Sequence, residues 1–229
     1  MKDETYLLIV AHPDDEVLGF GGTGTLLSNA GKIVQPLILC SDVENRSQRP
    51  NDSELLLDIA NANKLLGFQD AVFANFPNLR FNSIDEIDVV RFIEDQILKF
   101  KPSHIYTHHP SDMNSDHQII SRSTLVASKV FQRNNEKDPI ETISYIEIPS
   151  STEWNLDITN NLFRPNIFVN IDETIENKIQ ALSCYRNVMR KPPHPRSEEF
   201  IRGLAIYRGG QSGNRYAESF QCIYQTLKI

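Results

Sequence analysis

Apolar and polar positions along the first 130 residues alternate between two periods. Short runs dense in Leu, Ile and Val, at residues 6–11 (YLLIVA), 33–39, 71–76 and 104–107 (HIYT), have the length and composition of strands. The first is almost continuously apolar, as expected of a strand covered on both faces. Between them lie segments of helical spacing. Residues 53–66 place Leu55, Ile59, Ala62, Leu65 and Leu66 on one face, with Ser53 as the expected cap and Gly67 at the end. Residues 83–99 repeat Ile84, Ile87, Val90, Ile93 and Ile97. Residues 118–131 form a further expected helix, and 23–30 a short one closed by Gly31. Strand and helix alternate four times, which predicts an α/β fold: a Rossmann-like, mainly parallel sheet with helices on both faces.

Beyond residue 140 the alternation is lost. Residues 142–148 and 166–171 read as strands. Residues 173–189, 197–207 and 217–227 read as helices, and 191–197 as a proline-rich loop. No linker composition marks the change, so the expectation is one domain over 1–229, with a core of 1–140 and a C-terminal appended lobe of 141–229.

Composition narrows the partners. Twenty-three basic against 30 acidic residues give a net charge of −7, which argues against nucleic acid or an anionic membrane as the main partner. No apolar run approaches the roughly 20 residues of a membrane span, and the acidic N-terminal segment reads as a strand, not as a signal peptide. Three scattered cysteines, expected in the core, form no disulfide or metal pattern; a cytoplasmic setting is expected.

Chemistry concentrates in two segments, each directly after a strand. The first is AHPDDE at 11–16; the second is HHPSDMNSDH at 108–117, which holds three of the six histidines. A parallel sheet brings its carboxyl strand ends to one edge, so the two segments can converge there. His12, one of Asp14 and Asp15, and His117 would supply two imidazoles and a carboxylate. That donor set suits zinc with an open position, or iron(II), and not magnesium or calcium. The carboxylate left over stands free to take a proton. Gly19, Gly21, Gly22 and Gly24 do not have dinucleotide-loop spacing and follow a cluster of acids, so they read as sites of close backbone approach.

Two segments, AHPDDE and DMNSDH, resemble the PIG-L/LmbE-like family of zinc-dependent N-deacetylases. The resemblance extends to NFPNLRF at 75–81, EIPSSTEW at 147–154, FRPN at 163–166, HPRS at 194–197 and YAESF at 216–220. It implies zinc on His12, Asp15 and His117, with Asp14 as general base and Asp116 orienting an imidazole or the base. It also implies removal of an acetyl group from an acetamido sugar of the N-acetylglucosamine type, with dimers or hexamers among its members. Many members carry histidine three residues before the metal-binding one. Here that position is Asn114, which can donate a hydrogen bond to an oxyanion but cannot deliver a proton. The proton for the leaving amine then falls to Asp14, His109 or His194. Tyr185 stands where a histidine is typical of the family.

Arg46, Arg80, His194 and Arg196 lie on loops expected at the same edge and are the candidates for holding substrate. Trp154, the single tryptophan, reads as a core residue or a sugar-stacking platform, and a core or interface place is the expectation, since large aromatics are usually well buried. The rival readings are an amidase of a thiol–sugar conjugate and a non-catalytic sugar-binding module that keeps its metal.

Overall fold

The computed structural model describes residues 4–40, 50–133, 140–156 and 161–227. Its elements are β1 (Thr5–Val10), α1 (Asp15–Asn29), β2 (Ile33–Ile38), α2 (Asp52–Leu66), β3 (Val72–Phe73), α3 (Glu86–Phe100), β4 (His104–His108), α4 (Ser115–Ala127), α5 (Val130–Arg133), β5 (Thr142–Ile146), β6 (Ile167–Asn170), α6 (Ile175–Cys184), α7 (Glu198–Ser212) and β7 (Ala217–Gln225). Short 3-10 turns cover Phe81–Ser83 and Thr152–Trp154. The seven strands form one sheet in the order β3-β2-β1-β4-β5-β7-β6. Strands β1 to β5 pair in parallel, and β7 runs antiparallel between β5 and β6. The α/β, Rossmann-like fold is therefore as the alternating pattern predicts. Residues after 140 add three strands to the same sheet.

The apolar run of β1 explains the two layers. Leu8 and Val10 face a core shared with α1, α2 and α6, while Leu7, Ile9 and Ala11 face one shared with α3 and α4. Side chains alternate across a strand, so both faces need apolar residues and the run is unbroken.

Three expectations are corrected. The helix expected at 23–30 begins at Asp15, because α1 is buried nearly all round and packing outweighs the weak helix propensity of its glycines. Gly24 shows the reason for a missing side chain: a Cβ there would meet the Phe68 ring at 2.3 Å. The cap of α2 is Asn51, not Ser53; its Oδ1 accepts from Glu54 N at 2.9 Å while the Glu54 carboxylate accepts from Asn51 N at 3.0 Å. Residues 217–225, read as helix, are strand β7. Its residue Phe220 packs edge-on against Phe20 and Tyr106, so the sheet supplies contacts that an isolated helix would lack. Of the cysteines, only Cys40 is buried; Cys184 and Cys222 are half-buried and all three are free. No helix among the described residues is long and apolar enough to cross a membrane.

Candidate active site

Strands β1 and β4 are neighbours at the point where the strand order reverses, and both functional segments leave from their carboxyl ends. Sheets of this kind form their sites there. The Ala11 N–H donates to His108 Nε2 at 2.8 Å and ties the two segments together.

From Ala11 the chain turns through Pro13 into α1. Asp14 carries φ 102° and ψ −27°, a conformation that favours glycine and is more tolerable for Asp than for most residues. Its backbone is held on both sides. Its N–H donates to Glu16 Oε2 at 3.0 Å, and its carbonyl accepts from Val17 and Leu18 N–H. The other Glu16 oxygen accepts from the Tyr185 hydroxyl at the end of α6. Burial pushes the Glu16 carboxyl up to about 8 and the Tyr185 phenol well above its usual range. Where a family histidine was expected, this tyrosine fixes the acid that fixes the Asp14 backbone.

Three buried donors form a nearly equilateral triangle. His12 Nδ1 lies 3.2 Å from His117 Nε2 and 3.3 Å from Asp15 Oδ2, and His117 Nε2 lies 3.2 Å from that same oxygen. The Asp15 oxygen also accepts the His12 N–H at 3.0 Å. Three ligands at ~2.0–2.1 Å from a tetrahedral ion stand about 3.3–3.4 Å apart, so the triangle has the dimensions of one tetrahedral face. The second Asp15 oxygen is buried without a hydrogen-bond partner, and a proton can bridge only one edge of the triangle at a time. The residues therefore fit a divalent cation. Burial disfavours charge on His117, but the Asp15 and Asp112 carboxylates prevail and raise its imidazole to about 10. Burial opposes the ionised Asp15, and His117 and His12 overcome it and hold the carboxyl well below its usual range.

Each imidazole is oriented by a carboxylate at its far nitrogen. His12 Nε2 is 3.1 Å from Asp116 Oδ2, whose carboxylate also accepts N–H bonds from Leu79 at 2.7 Å and Phe81 at 3.3 Å. That is the structural task of the NFPNLRF segment. His117 Nδ1 is 3.1 Å from Asp112 Oδ2, and the Asp112 carboxylate accepts from the Ser151 and Thr152 hydroxyls. The His108 ring stacks on His117 at 3.7 Å. Asp112, Ser151 and Thr152 were not singled out from the sequence. Asp112 lies in a run of polar residues whose directions only the turn decides, and the two hydroxyls come from the turn that follows strand β5.

The remaining candidates divide. Asn114 caps α4, its oxygen accepting from Asp116 N at 2.9 Å; only its amide N–H groups are left to face a ligand. Arg196, expected on substrate, instead places Nη1 2.7 Å from Asp14 Oδ2, with its Nε donating to Ser150 Oγ at 2.9 Å. The Asp14 charge raises its pKa further. His194 is exposed two residues away, and its Nδ1 accepts the Arg196 N–H. Arg80 is exposed at the turn that holds Asp116. Arg46 lies outside the described residues. His109 is buried between the Tyr145 and Phe163 rings and bonds Ser111, and burial lowers it to about 4, which leaves it no proton to give near neutrality. Trp154, expected in the core or an interface, is 53% exposed and so is not a core residue.

Comparison with known proteins adds the following. The family profile described as GlcNAc-PI de-N-acetylase (PIG-L) matches residues 7–128, which span both segments of the site. Diacetylchitobiose deacetylase of Thermococcus kodakarensis is 24% identical over 228 residues, covering 95% of this chain and 82% of its own. Among solved structures, N,N'-diacetylchitobiose deacetylase from Pyrococcus horikoshii superposes with a TM-score of 0.79 at 19% identity, covering 97% of this chain and 84% of that one. The 4-carboxy-2-hydroxymuconate hydratase of Pseudomonas putida KT2440 superposes with a TM-score of 0.78 at 19% identity, over 99% and 98%. At such identities the superpositions speak for the fold alone.

Proposed function

The chain belongs to the PIG-L family, described as GlcNAc-PI de-N-acetylase, and on that premise we propose that it is a zinc-dependent hydrolase that removes the acetyl group of an acetamido sugar. The observation that supports this most is the buried triangle of His12, Asp15 and His117, with the carboxylate of Asp14 beside it in sequence and gripped by Arg196. Hydrolysis needs both parts, a cation site and a base, and a module that only bound sugar would need no such base.

His12 Nδ1, Asp15 Oδ2 and His117 Nε2 would hold the ion. When bound, zinc supplies a Lewis acid that makes water acidic near neutrality and polarises a carbonyl. Asp14 takes the proton from the attacking water and returns it to the nitrogen as the C–N bond breaks, so that acetate and a free amine leave. Arg196 and the Glu16 bond to its N–H fix where the carboxylate points, and the Asn114 amide donates to the oxyanion. Asp116 and Asp112 keep the two ligand imidazoles in the tautomer that turns a lone pair inward. The substrate is a small soluble sugar derivative, and Arg80 and His194 stand at the rim to meet its polar groups. Free thiols at Cys40, Cys184 and Cys222 accord with a reducing, cytoplasmic setting.

Metal analysis together with acetate release from acetamido sugars tests the reading. Replacement Asp14→Asn should leave bound zinc nearly stoichiometric and lower turnover by about 10²–10⁴-fold, whereas His12→Ala and His117→Ala should lose metal and activity together. A larger acid released in place of acetate would move the assignment to another amidase. A zinc-loaded chain that releases no acetate while hydrating an unsaturated acid would move it out of deacetylation. Iron bound in preference to zinc would overturn the choice of metal.

A further inference from the structure

The turn that follows β5 lies within EIPSSTEW and meets both halves of the site through neighbouring residues. The Ser151 and Thr152 hydroxyls donate to Asp112, which orients His117. Ser150 Oγ instead accepts from Arg196 Nε at 2.9 Å, and the same guanidinium donates through Nη1 to Asp14 Oδ2 at 2.7 Å. The turn is also bound within itself. Ser151 and Thr152 N–H groups donate to the Ile148 carbonyl, and the Glu153 carboxylate accepts from the Ser150 and Ser151 N–H groups.

Ser150 has a backbone conformation that does not suit it. Its φ is 77°, in the left-handed region where a Cβ crowds the backbone. At three helix ends the chain meets the same angle with glycine: Gly31 at 76°, Gly67 at 73° and Gly213 at 76°. A residue that had only to turn the chain at 150 would be better as glycine. Asp14, at the other end of the guanidinium, is likewise left-handed, with φ 102°. One arginine thus joins two residues in this conformation, and each supplies it with a side-chain oxygen that glycine would lack. Strain of this kind persists where the surroundings enforce it, and it gathers at functional sites.

The second contact adds a direction. An arginine side chain is long, and a guanidinium held by one bond can still turn about it. Its donors lie in one rigid plane, so bonds from Nε and Nη1 to two fixed oxygens set that plane. We propose that Ser150 is a positioning residue for the general base: it fixes the Arg196 guanidinium, which aims the Asp14 carboxylate, while Ser151 and Thr152 on the same turn serve the metal ligand His117. The inference rests on the deacetylase reading and adds to it a residue that acts on turnover through two others. A displacement of about 1 Å in a reacting group can cost about 10²-fold in rate, so a carboxylate that is held less firmly should be slower without binding substrate less well.

The experiment compares the unaltered chain with Ser150→Gly, Ser150→Asn and Ser151→Ala, all loaded with zinc. Acetate release is measured from N-acetylglucosamine, its 1-phosphate and its β-1,4-linked disaccharide. Zinc affinity is measured by chelator competition, and melting temperature by calorimetry. Glycine relieves the left-handed backbone and removes the hydroxyl, so the two kinds of task pull apart. Ser150→Gly should melt at the same temperature or higher and keep its zinc affinity, yet lose about tenfold in kcat with KM within about twofold. Asparagine tolerates the same φ and carries an acceptor, so Ser150→Asn should recover most of kcat. Ser151→Ala should lower zinc affinity severalfold, because it acts through Asp112 on His117. A Ser150→Gly chain with unaltered kcat, or a Ser150→Asn chain no faster than it, overturns the assignment and leaves deacetylation standing. A Ser150→Gly chain that loses melting temperature and zinc along with turnover also overturns it, since the hydroxyl would then only hold the turn. An unaltered chain that releases no acetate from any of the three sugars sinks the deacetylase reading and the positioned base with it.

Discussion

At the scale of single residues, the site is held together by groups one layer out from the triangle. A carboxylate hydrogen-bonded to the far nitrogen of a ligating imidazole fixes its tautomer and raises its basicity, and losing such a partner typically costs about 10–100-fold in metal affinity. Asp112→Asn should therefore weaken zinc binding by about that factor, measured by competition with a chelator, while the fold persists because the Asn side chain still accepts from Ser151 or Thr152. An unchanged affinity would show that stacking on His108 alone orients His117. This layer is also where sequence reading falls short. His12, Asp14, Asp15 and His117 are legible because ligand chemistry restricts residue type and the strand ends restrict place. Asp112 is one acid among several in a polar turn, and nothing in its neighbours says that it faces inward. Arg196 was visible as a basic residue near the site, but whether it meets substrate or Asp14 depends on a fold-back of some 180 residues.

The elements show the same division. Amphipathic α3 and the apolar strand β1 announce themselves through period alone. Helix α1 does not, because its glycines answer to neighbours distant in the chain: Gly19 to Ile146 and Ile148, Gly22 to Ile171, Gly24 to Phe68. Gly24→Val should thus destabilise the chain by about 1–3 kcal/mol through overpacking, despite Val being the better helix former, as read from urea or thermal unfolding. Stability equal to that of the unaltered chain would mean that Phe68 can swing aside. Strand β7 was misread for a related reason. Its alternation is short and its buried half, Ala217 to Phe220, is covered on both faces, so the period of two is erased where the contacts are best.

For the molecule as a whole, the buried triangle makes stability and metal uptake depend on pH in opposite ways. Asp15 and Asp112 lift the His117 imidazole to about 10 against an ordinary value of 6.5, and burial lifts Glu16 to about 8 from 4.5. Both groups bind a proton more tightly folded than unfolded. Their contributions are complete below the unfolded values and are lost as pH rises through the folded ones. The depressed Asp15 is the other side of its bond to His117 and is not an additional gain; its share is lost only as pH falls below the usual carboxylate range. Glu16 thus loses its share between about pH 4.5 and about pH 8, and the metal-free chain should melt at progressively lower temperature as His117 loses its own between about pH 6.5 and about pH 10. A cation, by contrast, needs the neutral imidazole and must displace that proton. Zinc affinity should rise roughly tenfold per pH unit across the same range, with about one proton released per ion. Calorimetry in buffers of different ionisation enthalpy measures that release, and a pH-independent affinity would show that His117 is already neutral in the folded chain.

The place of β7 in the sheet has a consequence for synthesis on the ribosome. Strand β6 touches the sheet only through β7, and Glu218, on β7, closes the buried ion pair with Lys178 that also bonds α1 at Leu18, Gly22 and Thr23. A nascent chain that has emerged as far as residue 212 already contains every residue of the triangle, yet β6 is still unpaired and Lys178 lacks its counter-charge. The far edge of the sheet and the buried Lys178–Glu218 pair therefore close last, when residues 217–225 are in place.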